Sequence, residues 1–312
     1  MDVQLPAFDD FLINRQVQLT DRPFIATDMF IGMCLVNTPS YTKDEFRKSS
    51  WFKEFDVAIT KWYAKRYAGA MNNTKDNFAP GVILIYGVPF ELKIPLNTYQ
   101  VEKPGETAWI CFPHTVLPEE NVCEWLISPP NLEDMKSKDI TNVKKSIIKT
   151  AGAIRSIRIN LLTASLNDSV VMRSQANSIP SHLHKSAKDI LSWREAFPSI
   201  AFWEIHLAVE KTFKVFLRQR GKIPPKTHDI TILAKLAEQT NELTIKHSLL
   251  ESLPSHKEAI RSRYNENTHR TIKDAVLAYH TSLDIIETCT KALHRKIILN
   301  NVRFLFNTST FK

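Results

Sequence analysis

The sequence predicts an α+β domain over residues 1–135 followed by an all-α helical region over 141–312. Three observations carry this reading. The hydrophobic pattern changes from short alternating runs to long three- and four-residue spacing. Eleven of the 16 prolines precede residue 140, whereas nine of the 10 histidines follow it. The net charge of +8 is also unevenly divided, about −5 over the first 140 residues and about +13 over the rest. A length of 312 residues suits about two domains.

In the first region, Phe24 to Val36 is an apolar, β-leaning segment. Lys43 to Gly69 is predicted helical, because Phe46, Trp51, Phe55, Ala58, Ile59, Trp62 and Tyr63 recur at three- and four-residue spacing. Asn72 to Pro80 is a polar loop. Val82 to Tyr86 and Phe90 to Leu96 are strand-like and are split by Gly87-Val88-Pro89. Thr107 to Phe112 and Val122 to Ile127 are predicted as further short strands. Pro129 and Pro130 can neither extend a strand nor sit inside a helix. The domain boundary is therefore expected between Ser128 and Lys138.

The second region reads as a series of helices. Asn142 to Leu166 carries an apolar stripe through Ile147, Ile148, Ala151, Ile154, Ile157 and Leu161 or Leu162. Its remaining faces hold Lys144, Lys145, Lys149, Arg155 and Arg158, expected as a charged outer surface. Leu183 to Trp193 is a second helix. Ile200 to Arg220 is the strongest, with Phe202, Ile205, His206, Val209, Phe213, Phe216 and Leu217 on one face and Gly221 as its stop. His206 is expected in the core there, and Glu210 and Lys214 form an i,i+4 pair. Asp229 to Gln239 is shorter, with Thr227 or His228 as its cap. Asn267 to Asn300 is predicted as one long final helix.

Several function classes are excluded. Only 7 glycines are present, and none forms a dinucleotide-binding or phosphate-loop fingerprint. The longest apolar run, Val82 to Phe90, is too short to span a bilayer. The first residues are acidic and lack the basic start of a secretory signal, so a cytoplasmic protein without membrane contact is expected. The four cysteines form no CxxC pair. Cys111, His114 and Cys123 lack a fourth ligand at zinc spacing, so free thiols and no metal are expected. His182 and His184 point to opposite sides of a helix, and no Ser-His-Asp or Cys-His arrangement or paired carboxylates stand out. The basic half suits both a phosphate-binding face and a plain solvated surface.

Three stretches then carry a family resemblance. They are Ala201-Phe-Trp-Glu-Ile-His-Leu-Ala-Val-Glu-Lys-Thr-Phe-Lys214, Pro224-Pro-Lys-Thr-His-Asp-Ile230 and Arg261-Ser-Arg-Tyr-Asn-Glu-Asn-Thr-His269. In that order and spacing, residues from about 180 to 297 resemble a HEPN domain, a four- or five-helix bundle found in prokaryotic defence, toxin–antitoxin and nucleotidyltransferase-associated proteins. The N-terminal domain resembles no family firmly and is expected to be a sensor or regulator.

The resemblance implies a metal-independent endoribonuclease that needs no cofactor, a toxin-like effector in antiviral defence or a toxin–antitoxin system. The family's R-x4-6-H motif falls on Arg263 and His269, which are separated by five residues. Arginine stays charged and grips phosphate through two N–H groups, and histidine exchanges protons near neutral pH. Tyr264, Asn265, Glu266 and Arg261 are the expected supporting or substrate-binding residues. RNA is the implied partner, with a homodimer bringing two motifs together and an antitoxin or nucleotidyltransferase as a further partner. Tyr264 stands where active members often carry a small polar residue. It favours the alternative, a non-catalytic module that binds a nucleotide, RNA or protein.

Overall fold

The computed structural model describes residues 4–36, 42–68, 77–104, 106–166, 169–192, 197–263, 270–297 and 302–307. The chain forms two compact units, residues 1–77 and 78–312.

The first unit is helical. It comprises α1 (Gln4–Asn14), α2 (Arg22–Met29), α3 (Lys43–Lys48) and α4 (Ser50–Tyr67). Leu5, Leu12, Ala26, Phe30, Ile59 and Tyr63 form its core. Asp9 is fully buried and neutralised: Arg22 lies 3.4 Å and Arg66 3.0 Å from its carboxylate, and the Tyr67 hydroxyl donates to it. The β-leaning segment Phe24 to Val36 is instead α2 followed by a wider helical turn over Phe30–Cys34. Pro23 opens that helix, and Ala26 and Phe30, four apart, face the core together.

The second unit starts with a hairpin. Strands β1 (Phe78–Ile85) and β2 (Val88–Pro95) pair antiparallel, with Ile85 opposite Val88. The turn residues Tyr86 and Gly87 have φ of 53° and 81°, the left-handed pair that a two-residue type I′ turn requires. Val82 faces the helical core, whereas Ile83 and Ile85 face a second cluster with Leu92, Ile94, Trp125 and Ile147. Burial on both faces explains why Val82–Ile85 reads as an unbroken apolar run. Gly81 permits this closeness, since a Cβ there would sit 2.9 Å from Ile94 Cδ1.

A second sheet has the order β3 (Thr98–Lys103), β4 (Thr107–Phe112), β5 (Val302–Asn307). The all-α region thus ends in a strand that returns to the strands before it. Val122 to Ile127 is not a strand. Val122–Trp125 form a single 3₁₀ turn, and Leu126 makes one bridge to Leu92.

The bundle comprises α5 (Ser137–Thr163), α6 (Val170–Leu191), α7 (Phe197–Gln219), α8 (Ile230–Glu238), α9 (His247–Glu251), α10 (His256–Arg263) and α11 (Ile272–Lys291). The second helix is longer than expected because it runs through Pro180. The buried series Met172, Ala176, Ile179 and Leu183 holds it together despite the lost backbone donor. The last helix is shorter than expected. A reciprocal cap between Thr271 and Asp274 starts it, and after Ala292 the chain turns to bond with Ser165 and Gln219. Phe202, Ile205, Val209, Phe213 and Phe216 of α7 and Val276, Tyr279, Leu283 and Ile286 of α11 lie together in the bundle's core.

Arg155, expected on an outer face, is completely buried on α5. It donates to Glu120 at 2.6 and 2.7 Å, to the Pro95 carbonyl at 2.8 Å and to the Thr115 carbonyl at 3.0 Å. Arg158 is partly buried as well, which pulls its pKa down.

The division between units at Asn77/Phe78 lies well before the linker expected at 128–138. Hydrogen bonds explain why the chain holds together across that linker. Strand β4 pairs with β5, and Arg155 of α5 donates to Glu120 and to the Pro95 and Thr115 carbonyls. Limited proteolysis is therefore expected to leave 128–138 uncut until the second unit unfolds. First cleavage at 128–138 would restore the sequence-based boundary.

Candidate functional site

The chain around the Arg263–His269 motif is held by three helices. In α7, Glu210 is buried. Its Oε1 accepts from Lys214 Nζ at 2.6 Å, so the expected i,i+4 pair exists but lies inside the protein. Its Oε2 accepts from His228 Nδ1 at 3.0 Å. His206 Nε2 donates to the His228 carbonyl at 2.7 Å. These bonds fix the Pro224–Ile230 segment to α7. The cap of α8 is then Asp229 rather than Thr227 or His228: its carboxylate accepts from the Thr231 and Ile232 amides at 2.9 and 3.3 Å.

His256, the first residue of α10, lies 3.6 Å from the other Asp229 oxygen. Ser255 and Glu258 form a reciprocal cap on α10. Glu258 also accepts from Arg270 Nη2 at 2.9 Å, and the Arg270 guanidinium lies 5.3 Å from the Phe202 ring centroid on α7. Burial raises the Glu258 pKa, but the bonds from Ser255 and Arg270 outweigh it and leave the carboxyl below its ordinary value. A cleft of about 260 Å³ beside these residues is lined by Asp229, Pro254, His256, Glu258 and Arg270 among others. Its acids and bases face one another, so it has little charge left to attract a polyanion.

Arg263 is the last residue of α10, and its side chain lies outside the described residues. Tyr264, Asn265, Glu266 and His269 also lie outside them. Arg261 is exposed on α10. The structure thus places the two ends of the motif segment, α10 and the Arg270–Thr271 cap. The anchoring roles of Glu258 and Arg270 went unread in the sequence, although the Ser255-x-x-Glu258 and Thr271-x-x-Asp274 spacings are capping signatures.

A second polar network joins α6 to α7. Lys211 donates to His182 Nε2 at 2.8 Å, and His182 Nδ1 donates to Glu204 at 2.6 Å. Lys185 also pairs with Glu204. Burial pushes the Glu204 carboxyl up, but His182 and Lys185 overcome this and hold it below the ordinary range. The network locks the two helices and uses Lys211 of the motif-bearing stretch.

His206 is buried and His280 partly buried, and the loss of hydration lowers both pKa values below the ordinary 6.5. His280 Nε2 donates to the Val82 carbonyl at 2.8 Å. In the unfolded chain these rings take up protons as the pH falls through about 6.5, whereas in the fold they resist. Their stabilisation is fully present above that pH and is lost below it. Melting temperature is expected to decline on acidification from pH 7, and His280→Gln should reduce the slope. A flat profile between pH 7 and 5 would contradict this assignment.

Among the described residues, no three His, Cys, Asp or Glu side chains group as metal ligands. Cys34, Cys111, Cys123 and Cys289 are free thiols. No helix among the described residues is long and apolar enough to cross a membrane.

Comparison with known proteins gives one result. Residues 183–293 match the family model of the HEPN domain. No curated protein and no solved structure matches the chain significantly.

Proposed function

Starting from the HEPN domain that residues 183–293 carry, we propose that this chain is a metal-independent endoribonuclease. Arg263 holds the scissile phosphate and His269 serves as acid/base. The protein works as a homodimer in which two motifs meet, and it acts in the cytoplasm as a toxin-like effector in antiviral defence or beside an antitoxin. The N-terminal region, residues 1–135, serves as its sensor or regulator.

The observation that supports this reading is the bracketing of the motif. Arg263 ends a capped helix, six residues follow, and Arg270 is tied back to Glu258 and Phe202 before the next capped helix begins. Two helices and an ion pair thus restrain the span of the segment, as a site with two cooperating side chains demands. The reaction follows from the residue types. His269 takes the 2′-hydroxyl proton as that oxygen attacks phosphorus. Arg263 neutralises the phosphate oxygens, and the bond to the 5′ oxygen breaks with return of a proton.

The test is cleavage of RNA by the purified full-length protein in EDTA. Tyr264 favours a second reading, a module that binds a nucleotide, RNA or protein without cutting. Tight binding of such a ligand without cleavage of any RNA would decide for it.

A further inference from the structure

The hairpin of β1 and β2 precedes the HEPN match, yet it runs along α11 toward the helix start. His280 holds the Val82 carbonyl halfway along. Leu84 and Ile272 both pack on the bundle core. At the tip, a Cβ on Gly87 would lie 3.1 Å from Lys273 Cε and 3.6 Å from its Nζ. The turn therefore sits against the first turn of α11, whose Lys273 follows His269 by four residues.

Tyr86 occupies that turn, and its identity is unexplained by the fold. It is 70% exposed, so it contributes little to any core. Its φ of 53° is one that glycine, asparagine or aspartate takes more readily than an aromatic residue. A wide aromatic face is thus displayed at the tip, beside an exposed lysine, at the end of the bundle where the motif segment joins α11.

We infer that Tyr86 is a base-stacking platform for single-stranded RNA entering the Arg263–His269 segment, with Lys273 on the adjoining phosphate. The choice of RNA rests on the ribonuclease reading. The chemistry is general: every base offers a π face to an aromatic ring, and a neighbouring cation contacts the backbone without reading sequence.

The test uses the full-length His269→Ala protein and a fluorescein-labelled, unstructured RNA of about 12 nucleotides. Adding Tyr86→Ala should weaken binding about 5- to 100-fold, and Tyr86→Trp should preserve it. Tyr86→Gly should weaken binding while raising the melting temperature, because glycine relieves the positive φ. A structural role alone would move both together. In the otherwise wild-type enzyme, Tyr86→Ala should raise KM and leave kcat within about twofold.

Unchanged RNA affinity in Tyr86→Ala would overturn the inference, even where His269→Ala abolishes cleavage and the ribonuclease reading stands. So would loss of stability together with binding in Tyr86→Gly, or failure of every form to bind RNA. Conversely, RNA binding that depends on Tyr86 in a protein that cuts nothing would sustain the platform and sink the ribonuclease reading.

Discussion

His269→Ala is expected to lower the rate of RNA cleavage by about 10²–10⁴, and Arg263→Ala by a comparable factor. In the proposed reaction the histidine supplies the proton transfer, and no other histidine stands in the Arg261–His269 stretch to replace it. The arginine there supplies a planar pair of donors for the phosphate. Arg263→Lys should therefore also be severely impaired, since an ammonium cannot make the two-pronged contact. Initial rates on one RNA substrate, with matched melting temperatures, separate lost chemistry from lost folding. Wild-type rates from His269→Ala would remove that residue from the site.

Arg155→Ala is expected to destabilise the second unit by about 3–5 kcal/mol, the largest stability effect of any single change considered. The Arg155 side chain has no exposed surface, and Glu120 is only 9% exposed. Its guanidinium also lies 4.9 Å from the Trp125 ring centroid. Truncation leaves the Glu120 carboxylate without its cation and removes the donor from the Pro95 and Thr115 carbonyls. These groups belong to the end of β2 and the segment between it and α5, so the loss loosens their packing on the helix. Replacing both charges, as in Arg155→Met with Glu120→Gln, should recover much of the loss, because the unpaired charge rather than the missing bond dominates the cost. Urea denaturation measures both variants. A cost below about 1 kcal/mol for Arg155→Ala would show that solvent reaches the pair.

The elements that sequence reveals are those whose burial follows local period. Helix α7 buries Phe202, Ile205, Val209, Phe213 and Phe216, at the spacing that predicted it. The two apolar runs of the β1–β2 hairpin were legible for the same reason, whereas Phe78–Pro80, read as loop, and Val88-Pro89, read as the break, belong to the strands. What was hidden depends on partners distant in sequence. Strand β5 has no pattern of its own strong enough to announce itself. It exists because β4, nearly 200 residues earlier, offers an edge. Arg155 looked like one more basic residue on a helix exterior, and only the loop carrying Glu120 makes it internal. Phe24 to Val36 has strand-like composition, yet Phe30 packs against Phe55 of α4 and the helix prevails. At the candidate site, the family stretches were visible as motifs. Their physical purpose became visible only through Glu210–His228, His206–His228 and Glu258–Arg270, which join residues 12 to 22 positions apart.

The most direct measurement of the central claim is the chemistry of the cut ends. In EDTA, the full-length protein should leave a 2′,3′-cyclic phosphate on one fragment and a 5′-hydroxyl on the other, because in the proposed reaction His269 takes the proton of the neighbouring 2′-hydroxyl while Arg263 holds the phosphate. A substrate with a single 2′-deoxy sugar at the cut position should resist. Mass spectrometry of the fragments reads both results. Fragments ending in 3′-hydroxyl and 5′-phosphate, formed only with added Mg²⁺, would mean that water carried by a metal makes the attack and would contradict the account.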